Sequence, residues 1–204
     1  MAVSRRLLIT AGLAAALTLP ACDKAPGGGP AFKAIDITGA EYARDFDLSD
    51  ADGQRRKLAD FKGRVVVVFF GFTQCPDVCP ATLLELAAVK KALGAEGDRV
   101  QGIFVTVDPE RDTAPLLKAY VDNFGAGFVA LRGTAEETKA VAKDFKVFYA
   151  KVPGPTETSY TMDHTAGSYI YDANGKLRLF TRYGTGAEAL THDLKILLAA
   201  KPAT

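Results

Sequence analysis

Two kinds of apolar pattern alternate along the chain, and together they predict a sheet with helices packed on it. Continuous apolar runs at 64–71 (Arg-Val-Val-Val-Val-Phe-Phe-Gly) and 100–107 read as strands covered on both faces, with a shorter strand at 128–131. Between them lie segments of helical spacing. One begins at Pro80 and runs to about Leu93, and the next covers 113–124. A third starts at Thr134, where Glu137 three residues on makes a capping-box pattern. The last, 187–200, places Leu190, Leu194, Leu197 and Leu198 on one stripe. Shorter alternating stretches predict hairpins at 44–48 with 54–58, around Ser49-Asp50-Ala51-Asp52-Gly53, and at 168–172 with 176–182, around Ala173-Asn174-Gly175. Residues 147–151 read as an edge strand.

Strand–helix–strand followed by a late hairpin and a terminal helix is the thioredoxin-like order: an α/β fold with a central mixed sheet flanked by helices, and here an N-terminal β-hairpin. Ligands of such sheets favour the carboxyl ends of strands. No internal repeat and no second linker interrupt the folded part, which the sequence places at 42–204.

The N-terminal segment has a different character. Arg5 and Arg6 precede an uncharged Ala/Leu-rich stretch at 7–19, too short for the roughly twenty residues of a membrane span, so 1–21 reads as an export signal. Ser4-Arg5-Arg6-Leu7-Leu8 also resembles a twin-arginine signal. Leu19-Pro20-Ala21-Cys22 resembles the bacterial lipoprotein processing box, in which Cys22 is lipidated. The following Asp-Lys-Ala-Pro-Gly-Gly-Gly-Pro-Ala is aperiodic, so 22–41 is expected to be a lipidated cysteine with a flexible tether. This places the domain at the periplasmic face of a bacterial inner membrane, with soluble periplasmic export as the alternative. Of 25 basic residues, Arg5 and Arg6 go with the signal, leaving 23 against 24 acidic ones, which excludes a nucleic-acid footprint.

Candidate chemistry gathers after the first buried strand. With Cys22 set aside, only Cys75 and Cys79 of the three cysteines remain, in Phe72-Thr73-Gln74-Cys75-Pro76-Asp77-Val78-Cys79-Pro80. Proline is tolerated in a helix's first turn, so Pro80 puts the helix start beside Cys79, with Asp77 available as its cap. Side chains four apart on a turn lie roughly 5–6 Å apart at Cβ. That spacing suits a redox pair closing to a disulfide, or two thiolates on one metal ion. A purely structural staple over so short a loop gains little chain entropy. The pair alone does not choose between redox and metal roles.

Of the two histidines, His192 falls off the apolar stripe of the last helix and reads as a surface residue. His164 sits in a polar segment, Tyr160-Thr161-Met162-Asp163-His164-Thr165-Ala166-Gly167, predicted as a loop before a strand, within reach of the cysteines. Two thiolates and an imidazole form a soft set suited to Cu(I) and tolerable to Cu(II). Asp163 beside it is placed to orient the ring or balance charge.

Three segments carry a family resemblance: Gly71-Phe72-Thr73-Gln74-Cys75-Pro76-Asp77-Val78-Cys79-Pro80, Val107-Asp108-Pro109-Glu110-Arg111-Asp112-Thr113, and Asp163-His164-Thr165-Ala166. In this order they resemble the Sco/SenC family, over 42–198. The resemblance implies a thioredoxin-like, monomeric, membrane-tethered protein holding one copper through Cys75, Cys79 and His164. It implies a metallochaperone that assists assembly of the dinuclear copper centre of cytochrome c oxidase subunit II, or serves another copper protein, by delivering copper, by reducing the partner's cysteines, or both. Asp77, Asp108, Asp163 and the loop 109–113 are expected to support the site rather than ligate, with Asp112 and Thr113 read as a helix cap. Ala114-Pro115 departs from the family's usual proline directly after the threonine.

The rival reading is an enzyme, a thiol–disulfide oxidoreductase using Cys75 and Cys79 without metal. Where thioredoxins place a proline facing their cysteines, this chain has His164-Thr165-Ala166, and a nitrogen ligand there favours metal. Zinc on the same three donors, and a sensor acting by protein contact alone, are further alternatives.

Overall fold

The computed structural model describes residues 31–156 and 159–200. The expected signal, its arginine pair and Cys22 lie outside the described residues. The elements in chain order are β1 (Ile35–Asp36), β2 (Asp47–Asp50), β3 (Arg55–Lys57), β4 (Val65–Gly71), α1 (Val78–Ala92), β5 (Val100–Thr106), α2 (Ala114–Asp122), β6 (Val129–Arg132), α3 (Ala135–Asp144), β7 (Tyr149–Pro153), β8 (Tyr160–His164), β9 (Gly167–Tyr171), β10 (Leu177–Arg182) and α4 (Ala187–Ala199).

Eight strands form one mixed sheet in the order β1-β10-β9-β4-β5-β6-β2-β3. Its centre, β4–β5–β6, is parallel, and antiparallel pairs flank it on both sides. Every residue of β4 and β5 is buried, as their uninterrupted apolar runs require. Alternation along β4 sends Val67 and Phe69 toward α1 and α4, where Leu83, Leu86 and Leu190 meet them. Val66, Val68 and Phe70 point the other way, and Phe70 packs edge-on against Phe145 at the end of α3. Burying each such phenylalanine stabilises the fold by about 2–3 kcal/mol, so the two faces of β4 anchor both helical layers.

Local signals act as the sequence predicts at several joints. Thr134 and Glu137 form the capping box of α3: the Glu137 N–H donates to Thr134 Oγ1 at 3.2 Å and the Thr134 N–H to Glu137 Oε2 at 2.8 Å. The β9–β10 turn is held by Asp172, whose Oδ1 accepts from the N–H groups of Asn174 and Lys176.

Ordered structure begins before residue 42. β1 pairs with β10, and buried Asp193 on α4 accepts from the N–H groups of Lys33 and Ala34 at 2.7–3.0 Å. The segment 31–41 is therefore fastened to the domain rather than serving as tether. Helix α1 starts at Val78, two residues ahead of the expected Pro80, which occupies its first turn. The expected edge strand at 147–151 is β7. It pairs not with the main sheet but with β8, in a separate two-stranded ribbon. No helix of the described residues is long and apolar enough to cross a membrane.

Candidate metal centre

Strand β4 ends at Gly71, and the chain turns through Phe72 and Thr73 into the cysteine loop. A glycine is required at this point. A Cβ on Gly71 would lie 2.6 Å from Cys79 Sγ and 2.8 Å from the Phe104 ring, so the sulfur occupies the space that a side chain would need. Cys79, in the first turn of α1, is fully buried, while Cys75 just ahead of the helix is half-buried. The Cys79 N–H points at Cys75 Sγ across 3.4 Å, and both cysteines are free thiols. Asp77 occupies the cap position of α1 and is exposed, but its side chain makes no capping hydrogen bond.

The third donor arrives from the far side of the chain. His164 is the last residue of β8, in register with Tyr149, and so stands on a strand end rather than in a loop. Its ring sits edge-on to Phe69 and Phe72, with Nε2 3.5 Å from Cys79 Sγ. Nδ1 lies 3.1 Å from the Thr165 carbonyl, which only accepts, so Nδ1 carries the proton and Nε2 keeps its lone pair toward the sulfur. Asp163 does not orient the ring. It is exposed, its strand neighbours alternate faces, and the Thr165 carbonyl fills the position at Nδ1. Its charge does oppose, in part, the effect of burial, which holds the His164 pKa below its ordinary value and keeps the ring neutral at pH 7.

Burial pushes the Cys79 thiol far above the ordinary thiol value. In the metal-free protein Cys79 is thus a protonated thiol facing an imidazole acceptor, a position where a metal ion can replace the proton. The donor atoms of Cys75, Cys79 and His164 all lie within 4.8 Å of one another. Two sulfurs and a neutral nitrogen fit a soft, thiophilic ion such as copper. Among the described residues no carboxylate joins the group, as a hard cation would require.

The SCO1/SenC family profile matches residues 36–199. This chain belongs to the SCO1/SenC family. A SCO2-like protein of Rickettsia felis is 38% identical over 133 residues, which cover 65% of this chain and 65% of that protein, so the chain spans just under two thirds of that relative's length. The structure of Bradyrhizobium japonicum ScoI with copper bound superposes with a TM-score of 0.67 at 38% identity, covering 74% of this chain and 96% of that one. The solution structures of apo Sco1 from Thermus thermophilus give a TM-score of 0.73 at 35% identity, covering 84% and 99%.

In this SCO1/SenC chain the segment after β5 braces the site. Asp108 is buried, accepts from the Tyr160 hydroxyl at 2.9 Å and pairs with the Arg111 guanidinium. It therefore reaches the histidine ribbon, not the donor atoms. Asp112 does not cap α2. Thr113 holds the cap position, without a side-chain bond, and the fully buried Asp112 carboxylate accepts from Thr73 N–H at 3.1 Å and from the hydroxyls of Thr73 and Thr106 at 2.5 Å. It thereby clamps the base of the cysteine loop. The loop 109–113, expected beside the site, reaches it through Arg111, whose individual role its residue type does not announce. Sequence reasoning missed the role of Gly71, although a glycine closing an all-apolar strand directly before the cysteines is a signal. His192 is exposed, as its sequence position indicated.

Proposed function

We propose that this protein carries one copper ion, as Cu(I) or Cu(II), on the sulfurs of Cys75 and Cys79 and on Nε2 of His164. It serves the assembly of the dinuclear copper centre of cytochrome c oxidase subunit II or of another copper protein. One observation carries the reading: three soft donors, remote along the chain, converge within 4.8 Å in an SCO1/SenC fold. Sco proteins are a family of cytochrome c oxidase assembly proteins. Copper here is cargo, so a half-open site is an advantage. Cys75 and His164 stay partly accessible to an incoming ligand while Cys79 anchors the ion from within.

The same two thiols also suit reduction of a partner's disulfide. Cys75, the accessible sulfur, attacks one partner sulfur, and the other leaves as a thiolate. Cys79 then displaces the first, and two electrons and two protons pass to the partner as Cys75 and Cys79 become the disulfide. We place the protein at the periplasmic face of a bacterial inner membrane, tethered through a lipid on Cys22, because the segment around Cys22 resembles a lipoprotein processing box. The test is a Cu(II) titration of the soluble domain and of His164→Ala. The expected result is a thiolate-to-Cu(II) charge-transfer band in the parent that His164→Ala abolishes, with both thiols still able to oxidise to the disulfide. An unchanged band in the variant would remove His164 from the ligand set.

A further inference from the structure

The β7–β8 ribbon that brings His164 is a sheet of its own, so the ladder of the main sheet does not hold it in place. Thr165 and Ala166 alone separate His164 from β9, which pins one end. The direction the ribbon takes from that hinge is left to side-chain contacts: Lys151 pairs with Glu110 at 2.6 Å, Met162 is buried, and the contacts that also reach the cysteine loop run through Arg111. Arg111 Nη1 donates to the Tyr160 carbonyl at 2.7 Å, at the start of β8, and to Gln74 Oε1 at 3.1 Å, directly before Cys75. Its guanidinium carbon lies 3.6 Å from the centroid of the Tyr160 ring. Asp108, paired with the same guanidinium, also accepts from the Tyr160 hydroxyl, which closes the circuit. A planar fork of donors is what allows one side chain to serve a carboxylate, an amide oxygen and a carbonyl while stacking on a ring.

We propose that Arg111 is a positioning residue for the metal centre: it straps the histidine ribbon to the cysteine loop and so sets how well the site holds Cu(II) relative to Cu(I). The inference rests on the copper reading above. Two thiolates, one ahead of α1 and one in its first turn, retain a soft Cu(I) ion whether or not the ribbon is in place, whereas Cu(II) needs the imidazole. Loosening the strap therefore acts through His164 and on one oxidation state. Loss of an orienting group outside the ligand set commonly lowers metal affinity by about 10–100-fold.

The test compares the parent domain with Arg111→Met, His164→Ala and the double variant, using competition titrations with Cu(II) and, under reducing conditions, Cu(I). Arg111→Met should weaken Cu(II) binding at least tenfold, in line with other orienting groups. It should change Cu(I) binding by no more than about threefold. In the His164→Ala background it should cost nothing further. Equal losses for both ions, additive losses in the double variant, or parent-like Cu(II) binding would each overturn the proposal. Arg111→Lys keeps the charge but not the fork and should follow Arg111→Met. Parent-like behaviour of the lysine variant would show that charge suffices, and would overturn the strap. It also carries the comparison should the methionine variant fail to fold. In metal-free protein, amide exchange at Thr161 and Asp163, the ladder-bonded positions of β8, should accelerate in Arg111→Lys, and unaltered exchange contradicts the strap whatever the copper results. A parent domain that binds no copper would refute the copper reading itself, which the metal-free measurement distinguishes.

Discussion

Gly71→Ala is the smallest change that reaches the metal centre without touching a ligand. The added methyl would stand 2.6 Å from Cys79 Sγ, 2.8 Å from Phe104 and 3.0 Å from Phe69. Non-bonded carbon contacts are comfortable at about 3.5–4.0 Å, so the sulfur must retreat by about 1 Å or β4 must part from α1. Neither neighbour yields easily, since Phe69, Phe104 and Cys79 are all buried. Overpacking of this kind costs about 1–3 kcal/mol, and three simultaneous contacts argue for the upper end. Against it stands the stabilisation of about 0.4–1 kcal/mol that alanine brings over glycine by restricting the unfolded chain. The clash wins by about 2 kcal/mol, which for a domain of this size lowers Tm by about 4–8 °C. Because the displaced atom is a donor, copper affinity should fall in the same variant. Thermal unfolding followed by circular dichroism, with a copper competition titration on the same samples, measures both. A Gly71→Ala protein that melts with the parent and binds copper equally would refute the claim that this glycine makes room for the sulfur.

Asp112→Asn tests the clamp on the cysteine loop through pH. Burial raises the Asp112 pKa above its ordinary 3.8, so the folded state holds this proton more tightly than the unfolded chain. The stability it contributes is full below that ordinary value and is lost as pH rises through the folded one. Urea unfolding across pH 4–7 should therefore show the disadvantage of Asp112→Asn shrinking as pH rises, and a gap that widens would contradict the assignment. Asp193→Ala removes the acceptor of Lys33 and Ala34, so exchange of those amides should accelerate while the core loses about 1–3 kcal/mol. Protection at 33–37 that survives the change would show that β1 docks by other means. Tyr171→Phe leaves the Ala43 carbonyl without its 2.6 Å hydroxyl donor in the core, at a cost of about 1–2 kcal/mol in urea unfolding. A variant as stable as the parent would show that carbonyl satisfied elsewhere.

Much of the architecture was legible in the chain because burial on both faces writes an unambiguous pattern. The runs that became β4 and β5, the leucine stripe of α4, the Thr134 capping box and the Asn174-Gly175 turn were all readable from local composition. What escaped has a common cause. Both residues of β1 are exposed, and Met162 alone is buried in β8, so neither strand carries a periodicity to find. The site was legible as a list of donors and not as a geometry. Cys75, Cys79 and His164 stand out by residue type, but the partner of the imidazole proton is a backbone carbonyl, invisible to any residue-level reading, so Asp163 acts on the ring through its charge and not by orienting it. Asp112 looked like a cap because the acidic residue before a helix usually is one. The tertiary approach of Thr73 and Thr106 gives it a different task.

X-ray absorption at the copper edge of the loaded domain reads the ligand set most directly. Two sulfur scatterers and one imidazole nitrogen are expected on a single copper per chain, with one sulfur lost in Cys75→Ser or Cys79→Ser and the nitrogen lost in His164→Ala. A shell of oxygen donors, or one that the three substitutions leave intact, would contradict this ligand set.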